Sequence, residues 1–138
     1  MTATHRVDAA RRPATPTGHH LRAIALNDRA GDLPGGPALA VFARAFTAAV
    51  RLRFRPDTPL IAVAGSVAAA ARRHAALALP VREAEMLIRE ALGETVPTGG
   101  IDPAQRVTVH VLMFAALVEE LALTDDEIDE LIADAEVS

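Results

Sequence analysis

Carboxylates are the most numerous side chains of chemical interest in this sequence, and they are concentrated at one end. Nine of the eighteen acidic residues lie from Glu119 onward, whereas all fourteen basic residues, every one an arginine, precede that position. Residues 1–118 therefore carry a formal net charge of +5 and the remaining residues −9, with histidine taken as neutral. A surface of one sign attracts partners of the opposite sign. The distribution favours electrostatic recognition over covalent chemistry.

Groups that could act as nucleophiles, acids or bases in catalysis are scarce. The chain has two serines and neither cysteine nor tyrosine. Ser66 lies in AVAGSVAAA, which is typical of an alanine-rich helix and lacks the strand-turn-helix context that a nucleophile elbow requires. His110 lies within the apolar run 107–118 and is typical of a core histidine, although an imidazole there could also serve as a pH switch. We predict no catalytic residue and no enzymatic activity.

Metal and cofactor ligands also lack a suitable spacing. With no cysteine and with isolated histidines, no pattern such as His-x-x-x-His occurs. Residues 123–136, LTDDEIDELIADAE, resemble the helix that enters a calcium-binding loop in the calmodulin family. The resemblance would imply calcium binding, but such a loop needs oxygen ligands at alternating positions around a glycine turn, and none follows. We interpret it as convergence on a capped acidic helix and predict no metal and no cofactor.

The elements that must position these groups are predicted to be helices. Alanine, the best helix former, occurs thirty times, whereas the aromatic residues that favour strands are limited to four phenylalanines. The sequence therefore predicts an all-α fold, a single compact five-helix bundle. The predicted helices cover residues 37–54, 59–76, 80–92, 103–122 and 124–136.

Prolines and capping residues mark the predicted helix starts. Proline suits the first helical position because its missing N–H has no partner there in any case. Thr58 and Asp102 are the expected N-caps of the second and fourth helices, and Thr124 with Glu127 predicts a capping box at the fifth. A glycine, Gly93, is the expected stop of the third helix. The prolines at the first four starts are Pro37, Pro59, Pro80 and Pro103.

The predicted helices differ in which faces they bury. The fourth is apolar nearly all round over 107–118, so we expect it at the centre of the bundle. Gly65 in the second is expected to let a neighbouring helix approach closely, and the loop 94–101 is expected to be flexible. The first helix places an apolar stripe opposite an arginine face. The stripe is Leu39, Phe42, Phe46, Val50 and Phe54, and the opposite face holds Arg44, Arg51 and Arg55.

The chain is predicted to divide into a tail and one domain. Residues 1–36 contain three prolines, four glycines and five arginines, and they are predicted to be a disordered or weakly helical tail, with a short helix possible over 18–30. Residues 37–138 form the predicted helical domain, which ends in the acidic helix 124–136. No secretory signal is apparent, and the longest apolar run is too short for a membrane span, so we expect a cytoplasmic protein that does not contact membranes.

These features predict a small non-enzymatic protein–protein interaction or regulatory module, whose partner is another protein or a second copy of the chain. The acidic fifth helix has three possible roles, a solvated face, a partner for the arginines of helix one, or a surface for a basic partner. Deleting residues 124–138 is expected to leave helices one to four folded. The candidate contact residues are Arg44, Arg51, Arg55, Asp129, Glu130 and Asp134.

Two alternatives belong to other classes. The second and third helices could form a helix-turn-helix DNA-binding regulator, but residues 81–92 carry more acidic than basic side chains, which disfavours nucleic acid as a partner. The chain could instead be a structural or assembly protein that self-associates through its alanine-rich second helix.

Overall fold

Five helices build the described part of the chain. The computed structural model describes residues 38–137, and their side chains from residue 40 onward. Within that range no strand occurs, so the all-α prediction is confirmed, whereas the predicted tail over 1–36 lies outside the described residues. The helices are α1 (Ala38–Arg53), α2 (Leu60–Arg73), α3 (Val81–Ala91), α4 (Pro103–Glu120) and α5 (Asp125–Val137), with a 3₁₀ turn (Ala75–Leu77) between α2 and α3.

Helix α4 is the centre of the bundle, as its composition predicts. Every residue from Val109 to Val118 is buried, which means that this helix is covered on all sides over almost three turns. Helix α1 packs chiefly on α4 and α5. Burying one large apolar side chain contributes about 1.5–3 kcal/mol, so the phenylalanine stripe of α1 is a main source of stability. Its buried members are Phe42, Phe46, Val50 and Phe54, while the side chain of Leu39 lies outside the described part.

The helix starts agree with the sequence to within one residue. Pro103 is the first residue of α4 and Asp102 is its N-cap, although the Asp102 side chain makes no capping hydrogen bond. Pro59 and Pro80 occupy the N-cap positions of α2 and α3 and not the first helical position. Since Pro59 takes that place, Thr58 is one residue too early to cap α2. Its Oγ1 instead accepts a hydrogen bond of 2.8 Å from the N–H of Arg55.

The capping box of α5 is confirmed. The Thr124 N–H donates to Glu127 Oε1 at 2.8 Å, and the Glu127 N–H donates to Thr124 Oγ1 at 3.2 Å. Two backbone donors that the helix itself leaves without partners are satisfied in this way. The pair therefore fixes where α5 begins, immediately after the end of α4.

Helices α3 and α4 end in the same turn geometry but with different residues. After α3, the Glu94 N–H donates to the Arg89 carbonyl and the Gly93 N–H to the Glu90 carbonyl, with Gly93 at φ +98°. This confirms Gly93 as the predicted stop. After α4 the same two hydrogen bonds form, but the left-handed position is filled by Ala122 at φ +51°, where a side chain is strained.

Helix α5 belongs to the common core. Ile128, Ile132 and Ala135 are 0–3% exposed and pack within the same cluster as α1 and α4. Removing residues 124–138 would uncover the apolar face of α1 that these side chains cover. We therefore expect the deletion to destabilise helices α1 to α4, contrary to the expectation from sequence.

The flexibility expected of the loop 94–101 stays a prediction, whereas the close approach expected at Gly65 is wrong. The loop 94–101 is anchored at its middle, because buried Thr98 donates through Oγ1 to Glu90 Oε2 at 2.6 Å and its carbonyl accepts from Arg106 at 2.7 Å. Gly65 is exposed, and a methyl group placed on it would meet no atom within 4 Å. No close helix approach within the described part of the chain requires Gly65.

Candidate functional site: an acidic groove along α5

An apolar groove with a carboxylate rim runs along the outer side of α5. Its volume is about 400 Å³. Leu52 from the end of α1, Leu123 from the link before α5, and Leu131 supply the apolar part. The rim consists of Asp126, Glu127, Glu130 and Asp134, all from α5.

Helical spacing explains why these carboxylates lie together. Asp126, Glu130 and Asp134 are four residues apart in sequence, and residues four apart share one side of a helix. Glu127 and Leu131 form the neighbouring row, next to the side that packs on α1. The predicted contact residues Glu130 and Asp134 are therefore brought into one groove, as half-buried and exposed side chains respectively.

Leu52 is the groove residue that sequence reasoning missed. It lies between Arg51 and Arg53 in the sequence of α1 and is 56% exposed. The sequence did hold a signal for this position, because a large apolar residue usually lies on the buried stripe of an amphipathic helix and Leu52 is instead flanked by arginines. Its position adds the apolar component without which the carboxylates would form only a charged surface.

The groove carboxylates already have local roles. Asp126 and Glu127 lie in the first turn of α5, where the helix dipole stabilises negative charge, and Glu127 closes the capping box. Asp134 lies near the opposite end of the dipole, and the last turn of α5 contains no basic residue. Asp126, Glu130 and Asp134 each take part in contacts within the chain.

Asp129 does not belong to the accessible surface, so its assignment as a contact residue is wrong. It is 0% exposed. Asp129 follows Ile128 by one position, which turns it only about 100° away from the core-facing direction. Partner contact through Asp129 would require this flank of α5 to open.

Arg44, which is half-buried, and Arg51, which is exposed, are bound to the ends of other helices. Arg44 Nε donates to the carbonyl of Ala135 in the last turn of α5, and Arg51 Nε donates at 3.0 Å to the carbonyl of Ala91, the last residue of α3. The C-terminal end of a helix carries partial negative charge, so both guanidinium groups stabilise a terminus. The contact of Arg44 is to a main-chain carbonyl of α5 and not to a carboxylate, so pairing of the arginine face with the acidic side chains stays a prediction.

The predicted arginine face does not form one site with the groove. Arg44 and Arg51 line a separate hollow of about 370 Å³ together with Ala43, Thr47 and Ala48. Arg55 is exposed beyond the end of α1 and lines neither the hollow nor the groove.

His110 lines a third, smaller cleft of about 270 Å³ together with Arg51, Glu90 and Arg106. Its ring lies 4.9 Å from that of Phe46, and the side chain is 7% exposed. Burial, and secondarily the charge of Arg106, lowers the pKa of His110 to about 4. The imidazole is therefore neutral at pH 7 and packs as part of the core, as its sequence context predicts.

Ser66 ties α2 to α4. Its hydroxyl donates to Glu120 Oε1 at 2.9 Å, and the same oxygen accepts from Arg53 Nε at 2.9 Å. The Arg53 guanidinium lies 4.7 Å above the ring of Phe54, which holds it near the end of α1. This cluster links three helices, and nothing in its geometry requires a chemical step.

Neither a metal site nor a membrane span is found among the described residues. Between residues 38 and 137, no three histidine, aspartate or glutamate side chains are grouped so that they could hold a metal ion. No helix in that part of the chain is both long and apolar enough to cross a bilayer. Absence of enzymatic activity stays a prediction.

The chain matches no protein-family model, no curated protein and no solved structure.

Proposed function

We propose that this protein is a non-enzymatic helical interaction module that binds a basic amphipathic helix of a partner protein in the α5 groove. The observation that carries the proposal is the combination of three leucines with a carboxylate rim in a single concave surface. An amphipathic helix buries its apolar stripe in such a groove and places its flanking charges at the rim. A basic helix fits this rim and an acidic one does not.

The dimensions suit a short helix. From Asp126 to Asp134 the groove follows about two turns of α5, a length of roughly 12 Å. A partner helix presents apolar residues at positions i, i+3, i+4 and i+7 over the same distance. Each carboxylate can accept several hydrogen bonds, so arginines or lysines of the partner can join the contacts that the rim residues make within the chain.

The apolar and charged parts of the groove should contribute differently. Exposed ion pairs are worth only about 0–1 kcal/mol each, so the leucines supply most of the affinity. The carboxylates raise the association rate and select the sign of the partner. Binding should therefore weaken with salt but persist, because the leucine contacts are not screened.

The test is a titration with a designed peptide. The probe is a synthetic helix of about 18 residues, long enough to be partly helical alone, with leucines on one stripe, arginines beside it and one tryptophan. Since the protein contains no tryptophan or tyrosine, fluorescence anisotropy reports the peptide alone. We expect saturable binding by the arginine peptide, and none by the same peptide with glutamate in place of arginine.

Matched variants locate the site. Leu52→Ser should abolish saturable binding, whereas Ile61→Ser on α2, which removes an even more exposed apolar side chain, should not. Glu130→Gln with Asp134→Asn should reduce both affinity and its salt dependence, and Glu83→Gln with Glu85→Gln on α3 is the control. Equal binding by the wild type and Leu52→Ser, or by both peptides, would overturn the proposal.

A second candidate function, self-association through α2, is favoured by one observation. Ile61 is 82% exposed and Leu60 is 57% exposed at the start of that helix, and Gly65 one turn later leaves open space. Two copies could pack these faces together, because small residues allow helices a close approach. Light scattering should then give a dimer mass that Ile61→Ser converts to a monomer mass. A monomer in the wild type would exclude this candidate.

DNA recognition by α3 has less support. Arg89 of α3 pairs with Glu94 at 3.1 Å, so one of the two arginines of this helix is already engaged within the chain. The helix-turn-helix alternative stays a prediction, and the salt dependence of any DNA binding would test it.

A further inference from the structure

The cleft that His110 lines lies where three helices meet, and we call it the His110 cleft. Helix α1 contributes Phe46 and Arg51, α3 contributes Leu87, and α4 contributes Arg106 and His110. Its volume of about 270 Å³ is just below the range of about 300–1,000 Å³ that is usual for the binding sites of drug-sized ligands. The cleft therefore has room for a small molecule and not for a larger ligand.

Two arginines at the His110 cleft are held in place by neutral groups. Arg51 Nε donates to the carbonyl of Ala91 at 3.0 Å, and Arg106 Nη2 donates to the carbonyl of Thr98 at 2.7 Å. Each contact uses one of the five N–H donors of a guanidinium group, and a carbonyl carries no net charge. Both arginines therefore keep their full charge at the cleft, and little further ordering is needed when an anion binds.

The charge of the lining suits an anion of charge −1. Glu90 is the one carboxylate among the described residues that line the cleft. Its Oε2 accepts from the Thr98 hydroxyl at 2.6 Å, and its Oε1 lies 4.0 Å from Arg106 Nη1, which is beyond hydrogen-bond distance. Two arginines and one glutamate give the lining a net charge of +1, with histidine neutral. A monoanion neutralises this charge, whereas a phosphate dianion would exceed it.

His110 and Thr47 add hydrogen-bond donors without adding charge. Burial, and secondarily the charge of Arg106, lowers the pKa of His110 to about 4, so its ring is neutral at pH 7. A neutral imidazole carries one N–H donor, and a threonine hydroxyl carries one O–H donor. Both side chains line the cleft, so the oxygens of a bound anion can find donors besides the two arginines.

The rest of the lining is apolar. Phe46 and Leu87 are each 2% exposed, and Ala43 and Ala91 complete this part of the cleft. An apolar group placed against these side chains is removed from water, which favours its binding. Apolar walls also lower the local dielectric constant, so the attraction between an arginine and an anion is stronger than in bulk water. A ligand with one anionic end and an apolar body matches both parts of the lining.

We propose that the His110 cleft binds a small apolar monocarboxylic acid, whose carboxylate is held by Arg51 and Arg106 and whose apolar part lies against Phe46 and Leu87. Arginine suits this group because its planar guanidinium can donate two parallel hydrogen bonds to one carboxylate. The site goes beyond the function proposed for the groove, since the cleft and the groove share no lining residue.

Benzoate is the probe, because it consists of one carboxylate on one aromatic ring. The full-length, nitrogen-15-labelled chain is titrated at pH 7 and followed by its amide chemical shifts. We expect saturable shifts at cleft residues such as Thr47 and His110, and none at residues 126–134 of the groove.

Two further ligands test which feature of benzoate is recognised. Benzamide has nearly the same shape without the charge and should cause no saturable shift. Inorganic phosphate has the charge without the apolar body and should bind about tenfold more weakly or not at all. Equal binding by benzamide would show that the carboxylate is not recognised, and equal binding by phosphate would show a site for anions in general. Either result would overturn the proposal.

Charge variants locate the carboxylate. Arg51→Gln and Arg106→Gln should each weaken benzoate binding by about tenfold or more, because each removes charge-assisted hydrogen bonds. Arg55→Gln is the matched control, since it removes an exposed arginine that does not line the cleft. Unchanged binding in Arg51→Gln would overturn the assignment of that residue to the site.

A variant that fills the cleft tests the location without changing any charge. Ala43→Leu places a larger side chain in the cleft and should abolish benzoate binding, whereas Ala48→Leu, which lines the neighbouring hollow and not the cleft, should leave it intact. The dispersion of the α4 signals reports whether each variant is folded. Benzoate binding that persists in folded Ala43→Leu would overturn the proposal even if Arg106→Gln failed to fold.

Discussion

At the scale of single residues, the same side-chain type has opposite roles depending on its position around the helix. Asp129 is 0% exposed, while Asp134 is exposed at the rim of the groove, although both belong to the acidic helix. Among the arginines, Arg44 and Arg51 each donate to a carbonyl at a helix end, although Arg51 is as exposed in class as Arg55. The charge available to a partner is thus smaller than the charge counted from sequence.

His110 makes stability depend on pH. Its pKa is lowered from the ordinary 6.5 to about 4, so between these values the unfolded chain binds a proton that the folded chain does not. The stability contributed by neutral His110 is complete above pH 6.5 and is lost as pH falls toward 4, on the order of 3 kcal/mol at most. Urea unfolding of the wild type and of His110→Gln between pH 4 and 7 measures it. The difference between their unfolding free energies should shrink with falling pH, and parallel curves would contradict the prediction.

Arg44 is predicted to stabilise the end of α5. Arg44→Met keeps the apolar stem but removes the charged donor to the Ala135 carbonyl, and we expect a loss of about 1–2 kcal/mol. Arg55→Met is the control, because that side chain is exposed. Chemical denaturation followed by circular dichroism compares the two. Equal losses would mean that the Arg44 contact contributes nothing beyond general charge.

At the scale of elements, the sequence predicts what depends on local chemistry and misses what depends on packing. The capping box of Thr124 and Glu127 and the stop at Gly93 were predictable because their residue types carry the signal. The end of α4 carries no such signal, since alanine rarely adopts the left-handed conformation found at Ala122. The groove was predictable only in its charges, because Leu52 is placed there by the way α1 meets α5.

The strained end of α4 gives a prediction of increased stability. Ala122→Gly removes the side chain from a left-handed position, and we expect a gain of about 0.5–1 kcal/mol. Ala69→Gly, at an exposed position inside α2, should instead lose about 1 kcal/mol, since glycine there only adds entropy to the unfolded chain. Thermal unfolding of both variants checks the signs. A loss in both would show that the turn tolerates alanine without strain.

In the whole molecule, the fold brings the acidic C-terminal part of the chain into contact with the basic part that precedes it. The acidic helix α5 packs on α1, the helix that carries the arginine face, and Arg44 joins them. Two salt bridges add to these contacts. They join Arg73 to Glu119 and Arg53 to Glu120, at the end of α4. Exposed pairs of this kind are individually weak, so the apolar contacts of α5 should dominate its attachment.

Cooperativity across the whole bundle tests that attachment. Ile132 is 0% exposed, and Ile132→Ala should cost about 2–5 kcal/mol because a cavity remains where α5 meets the core. Helix α5 shares its core with α4. The loss of unfolding free energy in Ile132→Ala should therefore also appear as faster amide hydrogen exchange of the buried residues 109–118, by the factor that corresponds to that loss. Val137→Ala, which is 76% exposed at the end of the same helix, should change neither quantity. If exchange accelerated only within α5 in Ile132→Ala, that helix would unfold as a separate unit, and the expectation from sequence that α1 to α4 stand without it would be correct.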